Sequence, residues 1–473
     1  MSIADLLAAA NCSSRRERSQ SQPQAAHPHP HPHPRAGRPT RPANLWQPKT
    51  PPAPAPLPAE WDERLTRLDF AFQPIVNIHT GFCFGYEALL RDHAKAGFPS
   101  IEAVFDTAQR DGLLARVEAA IRERIYGKFA TVAQFQKMKL FLNLDNRAIG
   151  QFDTQADAER VPLARWGISE TAIAFEISER HPLPHQAVAE TAAHLRRHSF
   201  KLALDDYGTG YSSMQMLYAA EPDFLKIDRF FITDIDSDAR KRVLLQHVIS
   251  VAHLLGITVI AEGVETEREY FICKSVGADL VQGYLVQRPT TEAAELHPCY
   301  PHIEALAKAE RRAKSSDQRF ITEQIERLEP LPVDTPMLQV FQHFRSNKDR
   351  TFLPVVDNVG EPLGVVRERD LKNYTYSTYG KDLIVNKAFG YTLKQFLFKC
   401  PIADIHMPAE KLLESFSTAG ETEGIIIVEN MKYAGFLSAH SLLRVINEKN
   451  IAVARDQNPL TKLPGNNIIQ QHL

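Results

Sequence analysis

Eight short β-rich runs that alternate with helical stretches limit this chain more than any other feature. They read AFQPIVNI (71–78), FCFGYEALL (82–90), LFLNL (140–144), IAFEIS (173–178), KLALDDY (201–207), FLKID (224–228), TVIAEGV (258–264) and LVQGYLV (280–286). The segments between them, such as 101–135 and 238–256, carry apolar residues at three- and four-residue spacing and are long enough for crossover helices. Eight strands with such helices in about 240 residues predict an α/β chain whose 61–301 segment closes into a (β/α)8 TIM-like barrel. The rival architecture, a doubly wound open sheet, lacks its signature, because no GxGxxG follows the first strand.

Of the 473 residues 44 % are hydrophobic and 24 % charged, enough for a sizeable core divided among several domains. A formal net charge of −2 excludes a globally basic binder of DNA or RNA, so an anionic ligand has to be met locally. The longest apolar stretch, 244–261, is interrupted by Gln246, His247 and His253 and falls short of the roughly 20 residues a membrane helix needs. Near the N-terminus Asp5 interrupts the apolar run and the arginines follow it, the reverse of a secretory signal. Five scattered cysteines (Cys12, Cys83, Cys273, Cys299, Cys400) show neither zinc-site spacing nor disulfide density, and a reducing cytoplasm is the expected location.

Between Pro23 and Pro58 lie 13 of the 31 prolines, including the run HPHPHPHP at 27–34, so 1–60 reads as a disordered Pro/His-rich tail. It holds seven basic and three acidic side chains, a mildly basic arm on an acidic body. Alternating prolines impose an extended left-handed helix that separates the imidazoles, which favours a solvated spacer over a metal site. Past the barrel, 302–329 reads as a charged connector helix, and 330–450 repeats one order twice: helix, strand, strand, helix.

Nearly every barrel strand ends in an acid, an amide or a lysine: Glu87, Asn143, Glu176, Asp205, Asp206, Lys226, Asp228, Glu262, Glu265 and Gln282. One acid after a strand is most often a helix cap, and one lysine an exposed cation. Ten such residues in phase with eight strands converge instead on the mouth where this fold places its active site. So many acids repel one another unless cations neutralise them. Hard oxygen donors without cysteine or clustered histidine favour Mg2+ or Mn2+ over zinc. The number of acids suits two ions, a pair able to activate water for an in-line phosphoryl displacement, so a phosphate ester is the expected substrate.

The segments YEALLR, FLNL, FEISE, LALDDYGTGYSS, LKID, IAEGVE and QGYL resemble, in order and spacing, the EAL-domain phosphodiesterases that hydrolyse cyclic di-GMP. The name-giving tripeptide is here Glu87, Ala88 and Leu89. The resemblance implies that Glu87, Asn143, Glu176 and Asp205 hold a first divalent ion and Asp206 lies close to a second. It implies that Lys226 orients the nucleophilic water and that Glu262 is the candidate general base, with Glu87, Lys226 and Glu262 as the catalytic set. Asp228 and Gln282 complete the mouth, Glu265 supports it, and Arg91 suits a bidentate phosphate contact. The glycine-bearing stretch after the acid pair, with Gly208, Thr209 and Gly210, is expected to be a mobile loop anchored by Glu179. Tyr207 stands where the family usually has phenylalanine, which keeps the aromatic bulk. Such domains generally work as dimers.

The repeated modules at 330–450 resemble a pair of CBS modules, a fold that often senses adenine nucleotides. GVVRERD keeps Gly364 and Asp370 but has Arg367 at the hydroxyl position, and GFLSAHS keeps Gly435 and Ser438 but has Ser441 in place of the acid. An adenine-nucleotide site at Asp370, Arg367 and Ser438 and a purely structural or dimerising role both remain open. The final segment, 451–473, resembles the opening of a GGDEF diguanylate cyclase domain through Pro459, Leu460, Thr461, Leu463 and Pro464, with Asn458 in the place of aspartate. Only nine residues follow Pro464, so no cyclase activity is expected, and the segment reads as a fragment or a vestige. The leading expectation is metal-dependent hydrolysis of cyclic di-GMP to linear pGpG, regulated by the paired modules. The alternatives are a non-catalytic cyclic di-GMP receptor and a dimerising scaffold.

Overall fold

The computed structural model describes residues 56–149, 162–179, 184–208, 214–313, 317–347, 349–375, 391–418 and 422–456. The expected tail up to residue 55, the loop residues Thr209 and Gly210, and the GGDEF-like residues from 457 lie outside these. The described elements fall within one compact unit.

Each β-rich run forms a strand: β1 (Asp69–Asn77), β2 (Cys83–Arg91), β3 (Lys139–Asn143), β4 (Ile173–Ser178), β5 (Lys201–Tyr207), β6 (Phe224–Ile227), β7 (Thr258–Ala261) and β8 (Leu280–Val281). They close into one barrel in sequence order, and β2 through β8 run parallel. The first strand departs from the expected rhythm, because β1 is antiparallel to both β2 and β8. Residues 78–82 alone join β1 to β2, and a parallel crossover needs a dozen residues or more. The chain turns back at once, with the Gly81 N–H donating to the Asn77 carbonyl at 2.9 Å.

Helices α1 (Ala59–Thr66), α2 (Ile101–Arg110), α3 (Leu114–Phe129), α4 (His185–Arg197), α5 (Met214–Ala220), α6 (Arg229–Ile232), α7 (Ala239–Leu254) and α8 (Glu267–Val276) surround the strands. Their ends follow local chemistry. α2 starts on Ser100, whose hydroxyl accepts the Ala103 N–H, and α8 starts on a reciprocal cap between Thr266 and Glu269 and stops at Gly277. α3 buries Val117, Ile121, Ile125 and Phe129 at helical spacing against the barrel.

Strand alternation then separates two layers inside the barrel. Phe141, Ala174, Ala203, Phe224, Ile260 and Leu280 form a buried apolar floor. Two residues further along the same strands stand Asn143, Glu176, Asp205, Lys226, Glu262 and Gln282, one pleat nearer the mouth. Apolar packing thus supports a polar layer from below.

The expected single connector is two helices, α9 (Pro301–Ala313) and α10 (Asp317–Gln324). The reason is apolar: Ile321 of α10 is fully buried in the second module's core with Leu412, Ile425 and Leu437, so α10 packs as part of that module. The first module holds β9 (Leu331–Pro332), α11 (Met337–Ser346), β10 (Phe352–Val356), β11 (Pro362–Arg367) and α12 (Glu368–Thr375), with β12 (Leu397–Phe398) added at its edge. The second holds β13 (Ile402–Asp404), α13 (Ala409–Thr418), β14 (Gly424–Glu429), β15 (Lys432–Ser438) and α14 (Ala439–Asp456). The helix, strand, strand, helix order occurs twice, each copy preceded by a short strand parallel to the next one. Val365, Cys400, Ile426 and Phe436 form a core shared by the two modules.

Both modules rest on the end of the barrel opposite the mouth. Lys139, at the start of β3, lies 2.7 Å from Glu361, and the Lys399 ammonium donates to the Glu221 and Pro222 carbonyls at 3.0 and 2.9 Å. Asn77 donates to Asp404 at 3.4 Å, Thr80 to Asn430 at 2.6 Å, and the His79 ring stacks on that of His406. Among the described residues no helix is long and apolar enough to cross a membrane.

At this junction burial alone would raise the Asp223 carboxyl, but Lys201, Lys399 and the Leu202 N–H outweigh it and hold the carboxyl down at about 2, from an ordinary 3.8. A carboxylate held below its unfolded value contributes stability that is present above the unfolded pKa and lost as pH falls through the folded one. Asp223→Asn is expected to lower unfolding free energy by about 2 kcal/mol at neutral pH, with the gap to wild type closing as pH falls from about 4 toward 2. Urea titrations across that range read it; a gap that stays constant with pH would mean the loss is not one of ion pairing.

Candidate active site

The centre of the polar layer is the Lys226 ammonium, 1 % exposed. Its Nζ lies 2.6 Å from Glu176, 2.8 Å from Glu262, 3.1 Å from Asp205 and 3.3 Å from Glu87. Burial alone would depress the ammonium, but the carboxylates of Asp205, Glu176, Glu262 and Glu87 outweigh that and hold its pKa well above the ordinary lysine value. The converse holds for two of its partners. Burial pushes the Glu176 and Glu262 carboxyls well above the ordinary range, and neighbouring carboxylates add to it against the pull of Lys226.

Amides complete the ring. Asn143 donates to Glu87 Oε1 at 3.3 Å, and Gln282 donates to Glu87 Oε2 at 2.7 Å and to Gln73 at 3.1 Å. Oxygens of Glu87, Glu176 and Asp205 lie within 4.8 Å of one another, and Glu176 Oε2 is buried without a hydrogen-bond partner among the described residues. Four carboxylates face one ammonium here. A buried excess of negative charge with an unpartnered oxygen fits a hard divalent cation, with Glu87, Asn143, Glu176 and Asp205 as the donors placed to hold it.

Consecutive strand residues point to opposite faces, so Asp205 and Asp206 could not both reach the mouth from regular β5. The pairing of β5 with β6 is irregular between Leu204 and Tyr207, and Asp206 adopts a left-handed φ of 55°. The Asp206 N–H donates to Asp205 at 2.9 Å, and the Ser178 hydroxyl donates to the Asp206 carboxylate at 2.8 Å. The next anchor is Glu179, whose carboxylate accepts the Gly208 N–H at 3.3 Å and is pushed up to about 8 by burial, with Asp206 and Asp205 adding to it. Gly208 is required twice over: its φ is 97°, and a β-carbon would lie 2.1 Å from the Phe231 ring. Gly283 meets a similar demand, since a β-carbon there would lie 2.1 Å from the Val264 carbonyl oxygen where the loop after Glu262 folds against Gln282.

The structure therefore gathers Glu87, Asn143, Glu176, Asp205, Lys226, Glu262 and Gln282 into one network, with Asp206 bonded at its edge. Three expected residues are engaged elsewhere. Asp228 caps α6 by accepting the Phe230 N–H at 2.7 Å, Glu265 is exposed and pairs with Arg229 at 2.9 Å, and Arg91 donates to its neighbouring Leu90 carbonyl at 2.9 Å. Gln73 and Ser178 belong to the site and carried no acidic signal. Gln73 could have been found from the short β1–β2 link, because an antiparallel β1 brings its interior, not its C-terminal end, opposite Glu87. In the modules Arg367 donates to Asp370 at 2.7 and 3.1 Å and lies over Phe398, while Ser438 donates to Ser441 at 3.1 Å. Those polar groups are thus engaged within their own modules.

A closed barrel with a carboxylate–lysine layer at its mouth is a site whose donors suit a divalent cation, and comparison with known proteins narrows the reading. The family model described as "EAL domain" matches residues 61–289, and the one described as "CBS domain" matches residues 325–376. The two matches follow one another along the chain, the EAL match over the barrel and the CBS match over the first module. It is 32 % identical over 233 residues to an uncharacterised protein of Azorhizobium caulinodans, covering 48 % of this chain and 32 % of that one. It is 29 % identical to the cyclic di-GMP phosphodiesterase NbdA of Pseudomonas aeruginosa, covering 48 % and 30 % of the two chains. With the cyclic di-GMP phosphodiesterase PdeL of Escherichia coli it shares 26 % identity over 46 % of this chain and 61 % of that one. The matched segment thus spans between 30 % and 61 % of these relatives' lengths. A manganese and cyclic di-GMP complex of Klebsiella pneumoniae BlrP1 superposes with a TM-score of 0.43 at 28 % identity, over 47 % of this chain and 56 % of that one.

Replacing Glu176 by Gln removes one charge from the cation site and is expected to weaken Mn2+ binding by at least about tenfold. Calorimetric titration of the full chain reads this, and an unchanged affinity would remove Glu176 from the ligand set.

Proposed function

We propose that this chain hydrolyses cyclic di-GMP to linear pGpG with Mg2+ or Mn2+ bound at the barrel mouth. The observation that carries the reading is the buried Lys226 ammonium ringed by Glu87, Glu176, Asp205 and Glu262 inside an EAL domain. Glu87, Asn143, Glu176 and Asp205 would hold one ion, and Asp206, bonded to Asp205, would be a donor for a second. Divalent ions at such a site lower the pKa of water and offset the charge of a phosphoryl displacement.

The chain's own groups do the rest. Lys226 donates from Nζ to the attacking water and orients it, and Glu262, 2.8 Å from Lys226, takes the water's proton. The water oxygen forms a new bond to phosphorus as the bond to the ribose 3′-oxygen breaks, and that oxygen leaves as a hydroxyl after gaining a proton. Gln282 and Asn143 hold Glu87 in place through their amides. Arg91, at the end of β2, is the candidate phosphate contact, with Asp228 and Glu265 on the rim.

The reading extends to a homodimer, for which the exposed apolar side chains of Met214, Tyr218, Phe230, Val243 and Leu244 are the candidate contacts. It assigns the module pair a regulatory role, with an adenine nucleotide as the candidate ligand, and places the chain in the cytoplasm, in keeping with the free Cys83, Cys273, Cys299 and Cys400.

Incubation of the purified chain with cyclic di-GMP and Mg2+ or Mn2+, resolved by reverse-phase chromatography, should yield pGpG that disappears with a chelator. Lys226→Ala and Glu87→Ala are each expected to lower kcat by roughly a thousandfold or more, since each removes a charge acting at the reacting centre. A near-normal rate in either variant sinks the assignment, and an untouched substrate peak in both metals points to a non-hydrolysing receptor.

A further inference from the structure

The hairpin joining β14 to β15 breaks a local rule. Glu429 pairs with Lys432, leaving Asn430 and Met431 as a two-residue turn with φ of 51° and 62°. Such turns favour Asn-Gly, because both positions need the left-handed region and a β-carbon there is strained. Asparagine occupies the first position as usual, but methionine takes the second. A flexible apolar side chain at an exposed hairpin tip would have no reason to be there.

This tip is not exposed. Met431 is only 9 % accessible and packs into the barrel's apolar floor, the cluster that contains Phe84, Phe141, Phe224, Ile260 and Leu280. The module thereby supplies from outside a residue that seals the barrel's lower end. The three phenylalanines form a mutually tilted or edge-on trio with ring centroids 5.2 to 6.3 Å apart. Phe141 lies two residues before Asn143, and Phe224 two residues before Lys226. One pleat of strand therefore separates the aromatic trio from the polar layer. Phe84 is the unpaired residue of an irregularity in the β1–β2 ladder, which turns its ring into the barrel. A cavity of about 50 Å3 lined by Phe84, Phe224 and Met431 lies between barrel and modules, and Thr80 clamps the turn by donating to Asn430 at 2.6 Å.

We infer that Met431 is a positioning residue for the lysine–carboxylate layer: it closes the barrel floor, the aromatic trio rests on it, and the second module reaches the site through it. Close-packed interiors transmit displacement instead of absorbing it, so a shift of this hairpin changes the support beneath Lys226. The kinetic arm of the test rests on the phosphodiesterase reading; the exchange arm does not.

The test uses the full chain with Met431→Gly, which suits the turn while removing the plug, and Met431→Leu, which keeps an apolar side chain of similar volume. Amide hydrogen exchange of the 224–228 peptide, measured without metal or substrate, is expected to quicken about tenfold in Met431→Gly and to stay within about twofold of wild type in Met431→Leu. With cyclic di-GMP and Mn2+, Met431→Gly is expected to lose about tenfold in kcat with KM within about twofold, and Met431→Leu to restore the rate. Exchange that quickens only in the hairpin itself, or quickens at 224–228 with kcat unaltered, overturns the inference. If wild type turns nothing over, the phosphodiesterase reading has failed, and the exchange arm alone decides whether Met431 supports the layer.

Discussion

One buried ammonium holds four carboxylates together at the mouth of this barrel. Moving an ion of that size out of water carries a penalty of several kcal/mol even after relaxation, and each carboxylate carries its own. Lys226 therefore survives at 1 % exposure only because Glu87, Glu176, Asp205 and Glu262 surround it. The converse is incomplete, since one positive charge cannot neutralise four negative ones. That deficit is the physical reason the site suits a divalent cation, and the amides of Asn143 and Gln282 fit the same need by fixing Glu87 without adding charge.

Such a charge-dense layer needs a rigid support, and the strand period supplies it. The side chains one pleat below are apolar, and the open end beneath them is covered by the two C-terminal modules, with Met431 of the second packed into that floor. Polar pairing there is specific: Lys139 meets Glu361, Lys399 meets the Glu221 and Pro222 carbonyls, and Asn77 meets Asp404. Undocking or shifting the modules would leave these buried polar groups unpaired, and an unpaired buried polar or charged group costs free energy. The two ends of the barrel thus divide the work, with an excess of negative charge at the mouth and balanced pairs at the floor.

Much of this was legible in the residues alone. The eight strands and the convergence of Glu87, Glu176, Asp205, Lys226 and Glu262 follow from period-two alternation, because a strand's inward positions can be counted. A (β/α)8 rhythm implies a β1 parallel to its neighbours, although the five residues that link it to β2 are too few for a crossover. A parallel β1 hides Gln73, whose place opposite Glu87 follows only from the antiparallel pairing. Ser178 is hidden because a hydroxyl gives no charge signal, and an acid after a strand, such as Asp228 or Glu265, reads the same whether it faces inward or caps a helix. α10 was joined to the connector because one buried apolar residue, Ile321, is invisible in a charged run.

Periodicities of two and of three to four, together with residue type, specify the barrel, the repeated modules and the chemical character of the mouth, because these are local properties of the chain. Which acids share one lysine, how the left-handed Asp206 brings adjacent carboxylates to one site, and where the modules dock lie beyond any such period. Those depend on contacts between residues far apart in the chain: Thr80 with Asn430, Lys139 with Glu361, and Met431 with the floor beneath Lys226. No local pattern encodes such pairs, because each is set by how whole layers of side chains fill the space between elements.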